Sequence, residues 1–162
     1  MDKATVVTVS DRCAAGTQVD RSGPVIAEAL RGAGYQVTIA LVPDGEDSVA
    51  GALRGALASG ARLVVTTGGT GVGPRDRTPE GTRQVLHREL PGVAELIRAA
   101  GVRASAHACL TRGVAGVVDA GDDGLGAFVV NLPGSPAAAK DGVEVVLGLA
   151  AHVLDQLGGG DH

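Results

Sequence analysis

Aromatic side chains are almost missing from this chain. Among 162 residues there is no tryptophan, one tyrosine (Tyr35) and one phenylalanine (Phe128). Apolar residues still make up 44% of it, so the core has to be built from Val, Leu, Ile and Ala. Such aliphatic interiors are typical of parallel sheets flanked by helices. Cysteine is equally scarce. Cys13 and Cys109 form no CxxC and no Cys/His metal spacing, which points to a reduced, cytoplasmic chain with two small, partly buried thiols. Positive charge is nowhere concentrated. The formal net charge is −4 and no run of five basic residues occurs, which argues against non-specific nucleic-acid binding. Long hydrophobic runs are lacking too. The opening "MDKATVVTVS" enters an apolar run of about five residues, too short for a signal peptide, and nothing approaches the ~20 apolar residues of a membrane span. HExxH and GxSxG are both absent. The histidines (His87, His107, His152 and His162) are scattered and read as structural or surface residues.

What the chain does have is glycine, 26 residues of it. That is too many for a plain helical bundle and too dispersed for collagen or a linker. Between the glycines, apolar runs alternate with helical patterns. Residues 4–9 are β-branched and apolar and predict a buried strand. A helix is expected from Ser22, with Pro24 in its first turn and Gly32 and Gly34 ending it. "YQVTIALV" predicts a second strand. Asp47 or Ser48 is expected to cap the next helix, which Gly60 stops. "RLVVTT" predicts a third strand. Helices follow at 79–86 and in "PGVAELIRAAG", while 104–113 gives no clear signal. "AGVVDA" and "AFVVNL" read as two strands around the turn "GDDG". A long helix over 137–157 closes the pattern, and 158–162 reads as a flexible tail. The alternation predicts one domain over 1–157, a three-layer α/β/α fold with a mostly parallel sheet.

In such sheets ligands sit beyond the carboxyl ends of the strands. Four strand ends here run into polar loops: "SDR", "PDGED", "TTGGTG" and "NLPGSP". In "VVTTGGTGVGPRDRTPE", Gly68, Gly69, Gly71 and Gly73 let a ligand approach the main chain, and their amides can form an anion cradle. Thr66, Thr67 and Thr70 add hydroxyls. The loop is neither a Walker A loop nor a dinucleotide fingerprint. The plain alternative is a tight structural turn. Asp76 follows, between Arg75 and Arg77, with Thr78 as a helix cap and Pro79 opening the helix. A carboxylate beside a phosphate loop repels the ligand unless a cation intervenes, and Mg²⁺ binds one or two carboxylates plus phosphate oxygens. "VPDGED" offers a second carboxylate from Asp44, Glu46 or Asp47; Asp44 is nearest the strand end. Ser10 and Asp11 close the first strand. Ser22 and Gly23 can present amides at a helix N-terminus, although a simple cap explains them equally. Asn131, Pro133, Gly134 and Ser135 form either a wall of the site or a rigid strand-to-helix connection.

Taken in order, "VTVSDRCAAGTQVDRSGP", "VPDGED", "VVTTGGTGVGPRDRTPE", "LTRGVAG" and "VVNLPGSP" resemble the Mog/MoaB family of molybdenum-cofactor biosynthesis proteins over nearly the whole chain. The resemblance implies a molybdopterin-binding-like α/β fold, usually a homotrimer. Active members are molybdopterin adenylyltransferases, which move AMP from Mg-ATP to the molybdopterin phosphate. The product then passes to a molybdenum insertase. By resemblance, Asp44 and Asp76 match the family's two important aspartates and are the catalytic and Mg²⁺-binding candidates. Ser10, Asp11, Ser22, Gly23, Thr67, Gly68, Gly69, Thr70, Gly71, Thr78, Asn131, Pro133, Gly134 and Ser135 are the substrate and phosphate candidates. The chain departs from many relatives after "GSP", where Ala137 stands in place of Lys and Lys140 lies one turn later. A second reading is a trimeric carrier that holds molybdopterin without turning over ATP.

Overall fold

The computed structural model of the chain describes residues 1–122 and 124–161. His162 and the Asp123 position of the "GDDG" turn lie outside the described residues. Six strands form one sheet: β1 (Lys3–Val9), β2 (Gln36–Val42), β3 (Ala61–Thr67), β4 (Arg88–Glu89), β5 (Ala115–Val118) and β6 (Ala127–Leu132), in the spatial order β2-β1-β3-β6-β5-β4. β2, β1, β3 and β6 run parallel. β5 and β4 run antiparallel at one edge. The helices are α1 (Asp11–Ala14), α2 (Ser22–Gly32), α3 (Glu46–Ala58), α4 (Thr78–Arg83), α5 (Pro91–Val102) and α6 (Pro136–Leu157), with a 3-10 turn at Ala106–Leu110.

Period-two burial sorts each central strand between two aliphatic cores. Val6, Leu63, Val65, Phe128 and Val130 face one side, where Ile26 and Leu30 of α2, Ile97 of α5 and Val143 and Val146 of α6 cover them. Val7, Val64 and Val129 face the other, under Val49 and Leu53 of α3. The sheet is therefore covered on both faces, as a parallel sheet requires. Fully burying each such side chain is worth about 1.5–3 kcal/mol relative to leaving it exposed. The expected three-layer α/β/α architecture is what the chain adopts.

Several local expectations need correction. The first polar loop contains a helical turn, α1, whose N-cap Ser10 accepts the Cys13 amide (3.2 Å). Neither Asp47 nor Ser48 caps α3. Gly45 is the N-cap, and Ser48 Oγ donates back to the Pro43 carbonyl (2.6 Å). Thr78 does not cap α4 either; Arg77 holds that position without a side-chain bond. α4 stops at Arg83, short of residue 86, because the chain must turn into β4, a two-residue edge strand with no visible sequence pattern. Cys13 is buried as expected, but Cys109 is exposed.

The four parallel strands all end at the same rim. β5 runs the opposite way to β6, so the residues just before β5 arrive at that rim as well.

Candidate functional site

Gly68 makes the turn out of β3. Its φ is +97°, and a Cβ there would lie 2.3 Å from the Val9 carbonyl oxygen, so only glycine fits. Its amide donates to the Leu132 carbonyl (3.1 Å), which closes the β3–β6 ladder. That commits an amide expected to be free for a ligand. The amides of Gly69, Thr70 and Gly71 have no protein acceptor among the described residues. They form the usable part of the cradle.

Two carboxylates stand over this loop. Asp44 and Asp11 exchange backbone bonds: the Asp11 amide donates to Asp44 Oδ2 (2.9 Å) and the Asp44 amide to Asp11 Oδ1 (3.1 Å). Asp44 Oδ1 points toward Gly69, 3.1 Å from where a Cβ would sit. Asp76 Oδ2 accepts the Gly73 amide (2.9 Å). The remaining oxygen of each, Asp44 Oδ1 and Asp76 Oδ1, accepts no hydrogen bond among the described residues. Burial pushes the Asp44 carboxyl above its ordinary value, and the negative charges of Asp11 and Asp76 push it the same way. The Asp11 amide and Arg75 only partly oppose this. Asp11 behaves oppositely. Hydrogen bonds from Arg75 hold it low against desolvation, helped by the Asp44 amide.

Arg75 ties the three loops together. It binds Asp11 through Nε and Nη2 (both 3.1 Å) and donates to the Asp44 carbonyl (2.8 Å). Arg77 points elsewhere, 4.0 Å from Glu80.

On the other side of Gly68 a cavity of about 640 Å³ opens between the end of β1, the start of α2 and the turn after β6. Ser10, Ser22, Thr67, Gly68 and Gly134, all candidates from the sequence, line it. Asp20, Arg21 and Thr8 also line it. Asp20 accepts the Gly23 amide (3.0 Å) and the Thr8 hydroxyl (2.8 Å), and its carboxylate leaves no room for a side chain at Gly23. The cation lining the cavity is Arg21; Lys140 does not reach it.

Several candidate residues prove to be supports. Asn131 is 3% exposed, and its amide is spent internally: Nδ2 donates to Thr66 Oγ1 and Thr82 Oγ1 (both 2.9 Å), and Oδ1 accepts the Val114 amide (3.1 Å). It fixes α4 behind the glycine loop and offers nothing to a ligand. Three threonine hydroxyls also make internal bonds. Thr78 is fully buried and donates to the Gly68 carbonyl (2.9 Å). Thr67 donates to the Pro133 carbonyl (2.8 Å) and lies 3.1 Å from Ser22 Oγ. Thr70 Oγ1 accepts the Thr111 hydroxyl (2.9 Å). Ser135 caps α6 by accepting the Ala138 amide (3.2 Å). Among the described residues no group of three or more His, Cys, Asp or Glu is arranged to hold a metal.

This geometry can be set beside known proteins. Residues 5–152 match the family described as "Probable molybdopterin binding domain". The chain belongs to this molybdopterin-binding domain family. A molybdopterin adenylyltransferase of Pyrococcus furiosus is 40% identical over 153 residues, covering 94% of this chain and 89% of that protein. A molybdenum cofactor biosynthesis bifunctional protein of Synechococcus elongatus is 39% identical over 98% of this chain, which spans only 48% of that longer protein. Among solved structures, the tungsten cofactor synthesizing protein MoaB from Pyrococcus furiosus superposes with a TM-score of 0.89 at 39% identity, covering 97% of each chain. The Mog protein from Mycobacterium ulcerans gives 0.87 at 38% identity, covering 97% of this chain and 99% of its own. The fold of this family member is thus that of the Mog and MoaB proteins. Among the described residues no helix is long and apolar enough to cross a membrane.

The family member's least legible residue was Arg112. Its partners at Gly71 and Glu80 lie 41 and 32 residues away in the chain. No local pattern marks such a pairing within "LTRGVAG".

Proposed function

We propose that this chain is a molybdopterin adenylyltransferase of molybdenum-cofactor biosynthesis. The observation that carries the proposal is one loop with opposite demands. It offers free amides at Gly69, Thr70 and Gly71, which attract an anion, beneath the unpaired oxygens of Asp44 and Asp76, which repel one. A protein that only held a phosphate would gain from the amides and lose from the carboxylates. A divalent cation arriving with a polyphosphate satisfies both. The donor set fits Mg²⁺, since two hard carboxylate oxygens without a third protein ligand suit an ion that keeps waters and substrate phosphates. Burial, and after it the charges of Asp11 and Asp76, raise the Asp44 pKa, so a cation beside it would favour its ionised form. The names of the relatives agree with this reading.

In the reaction, an oxygen of the molybdopterin phosphate attacks the α-phosphorus of ATP. The bond from that phosphorus to the bridging oxygen breaks, and pyrophosphate leaves. Bound with ATP at Asp44 and Asp76, Mg²⁺ would screen the repulsion between the two anions and polarise the α-phosphate. The chain's own residues supply position and charge. Amides 69–71 hold phosphate oxygens. Arg75, next to Asp76 in the chain, binds the Asp11 carboxylate and the Asp44 carbonyl and so links the loop's end to the β1 and β2 loops. Beside the first turn of α2, Arg21 and Ser22 offer the cavity a cation and a hydroxyl, while the Gly23 amide is already taken by Asp20.

We further propose a cytoplasmic homotrimer built from one domain over 1–157, handing its product to a molybdenum insertase. The test is transfer of label. The protein is incubated with molybdopterin, Mg²⁺ and ATP labelled on the α-phosphorus. Labelled adenylyl-molybdopterin is the expected product. Tight molybdopterin binding without label transfer would replace the enzyme with a carrier.

A further inference from the structure

The glycine loop has little to hold its own shape. Between Gly68 and Thr78 its internal backbone bonds are Thr78 N–H to the Gly69 carbonyl and Asp76 N–H to the Gly73 carbonyl (both 3.1 Å). Two glycines at positive φ, Gly68 and Gly69, leave it conformationally permissive. A loop of this kind needs bracing from outside if the Asp76 carboxylate is to stay in one place.

Arg112 supplies that bracing from the segment before β5. Its own amide donates to the Thr70 carbonyl (2.7 Å). Its guanidinium then spreads over three further acceptors: Nε to the Gly71 carbonyl (2.8 Å), Nη2 to the Asp76 carbonyl (2.8 Å) and Nη1 to Glu80 Oε1 (2.5 Å). The residue thus grips both ends of the loop and the first turn of α4. It is well placed to do so, because the strand reversal at β5 brings its segment to the rim. The segment is itself anchored. The Val114 amide donates to Asn131 Oδ1, and Arg98 donates to the Gly113 carbonyl (3.3 Å). Glu80 needs the cation, for its second oxygen is buried without a partner among the described residues.

We propose that Arg112 is a positioning residue for Asp76. Its guanidinium, fixed by Glu80, clamps the 70–76 loop so that the Asp76 carboxylate faces Asp44 across the amide cradle. Each guanidinium nitrogen donates to the protein, and Nη2 holds the Asp76 carbonyl itself, so Arg112 is placed to act through Asp76. Lysine cannot substitute, because a point charge on a flexible stem cannot span three acceptors in a plane. The kinetic consequence rests on the adenylyl-transfer reading; the structural one does not.

The test uses Arg112→Gln and Arg112→Lys in the full chain, with the thermal midpoint checked first. Three quantities are read: kcat for AMP transfer, the Mg²⁺ concentration giving half-maximal activity at saturating ATP, and the hydrogen-exchange rate of the Gly73 amide, which Asp76 holds. In Arg112→Gln, kcat is expected to fall about 100-fold and the Mg²⁺ midpoint to rise about tenfold. Gly73 exchange is expected to accelerate. Arg112→Lys is expected to recover the thermal midpoint but neither kcat nor the Mg²⁺ midpoint, and if Arg112→Gln does not fold, this variant carries the test. An unchanged Mg²⁺ midpoint in a folded variant, or full kcat with lysine, overturns the proposal. If the wild-type protein transfers no AMP, the functional reading fails by itself and Gly73 exchange decides: acceleration supports the clamp and an unchanged rate refutes it.

Discussion

Asp44 is held in an uncomfortable state. Its folded pKa is raised, first by burial and then by its acidic neighbours. The folded protein therefore binds that proton more tightly than the unfolded chain does, and stability falls as pH rises from the ordinary value of 3.8 through the raised one. At neutral pH the ionised carboxylate costs stability. Asp44→Asn should keep or slightly raise the thermal midpoint at pH 7 while abolishing AMP transfer, because the amide oxygen can still accept the Asp11 N–H. A drop of several degrees would contradict the electrostatic account. Glu80 has the opposite sign. Burial raises its pKa, but the Arg112 hydrogen bond, its own backbone, and the charges of Arg112 and Arg77 outweigh this and leave it lowered. Its contribution is present above the ordinary value of 4.5 and is lost as pH falls through the lowered one. Acid titration of Glu80→Gln should show a shallower loss of stability below that point. Gly68 is constrained by geometry alone. Gly68→Ala combines φ +97° with a 2.3 Å contact to the Val9 carbonyl. It should destabilise by more than about 1 kcal/mol, read as a lower thermal midpoint; an unchanged midpoint would mean the turn can relax.

At the scale of elements, α3 shows why the long pieces were legible and the joints were not. Val49, Leu53 and Ala56 recur at helical spacing and are all buried under the sheet. That stripe is a local property of the sequence, so the helix could be read directly. Leu53→Ala should cost about 2–5 kcal/mol in a urea titration, with AMP transfer per folded molecule unchanged. The cap of α3 was misread because the helix starts at Glu46, which puts Asp47 and Ser48 inside its first turn, where Ser48 Oγ donates to the Pro43 and Gly45 carbonyls. The side chains of Thr78 and Asn131 are occupied for a related reason. Their polar groups looked available at loop and strand ends, and tertiary packing had already consumed them. β4 carried no periodic signal, since it is held by β5, distant in the chain, and the 106–110 turn is too short to show one.

At the scale of the molecule, four parallel strand ends on one rim were enough to bring Asp11, Asp44, Gly68–Gly71 and Asp76 together, and that much followed from alternation of strands and helices. The antiparallel β5 did not follow from it, and with β5 went Arg112. The central claim is that Asp44 and Asp76, over the amide cradle, make AMP transfer depend on a divalent cation. The most direct measurement is a Mg²⁺ titration of α-phosphate label transfer to molybdopterin, run on the wild-type protein and on Asp76→Asn with matched thermal midpoints. The account predicts transfer that rises with Mg²⁺ in the wild type, vanishes on chelation, and stays at background in Asp76→Asn at every Mg²⁺ concentration. Equal transfer by Asp76→Asn, or transfer that survives chelation, would contradict it.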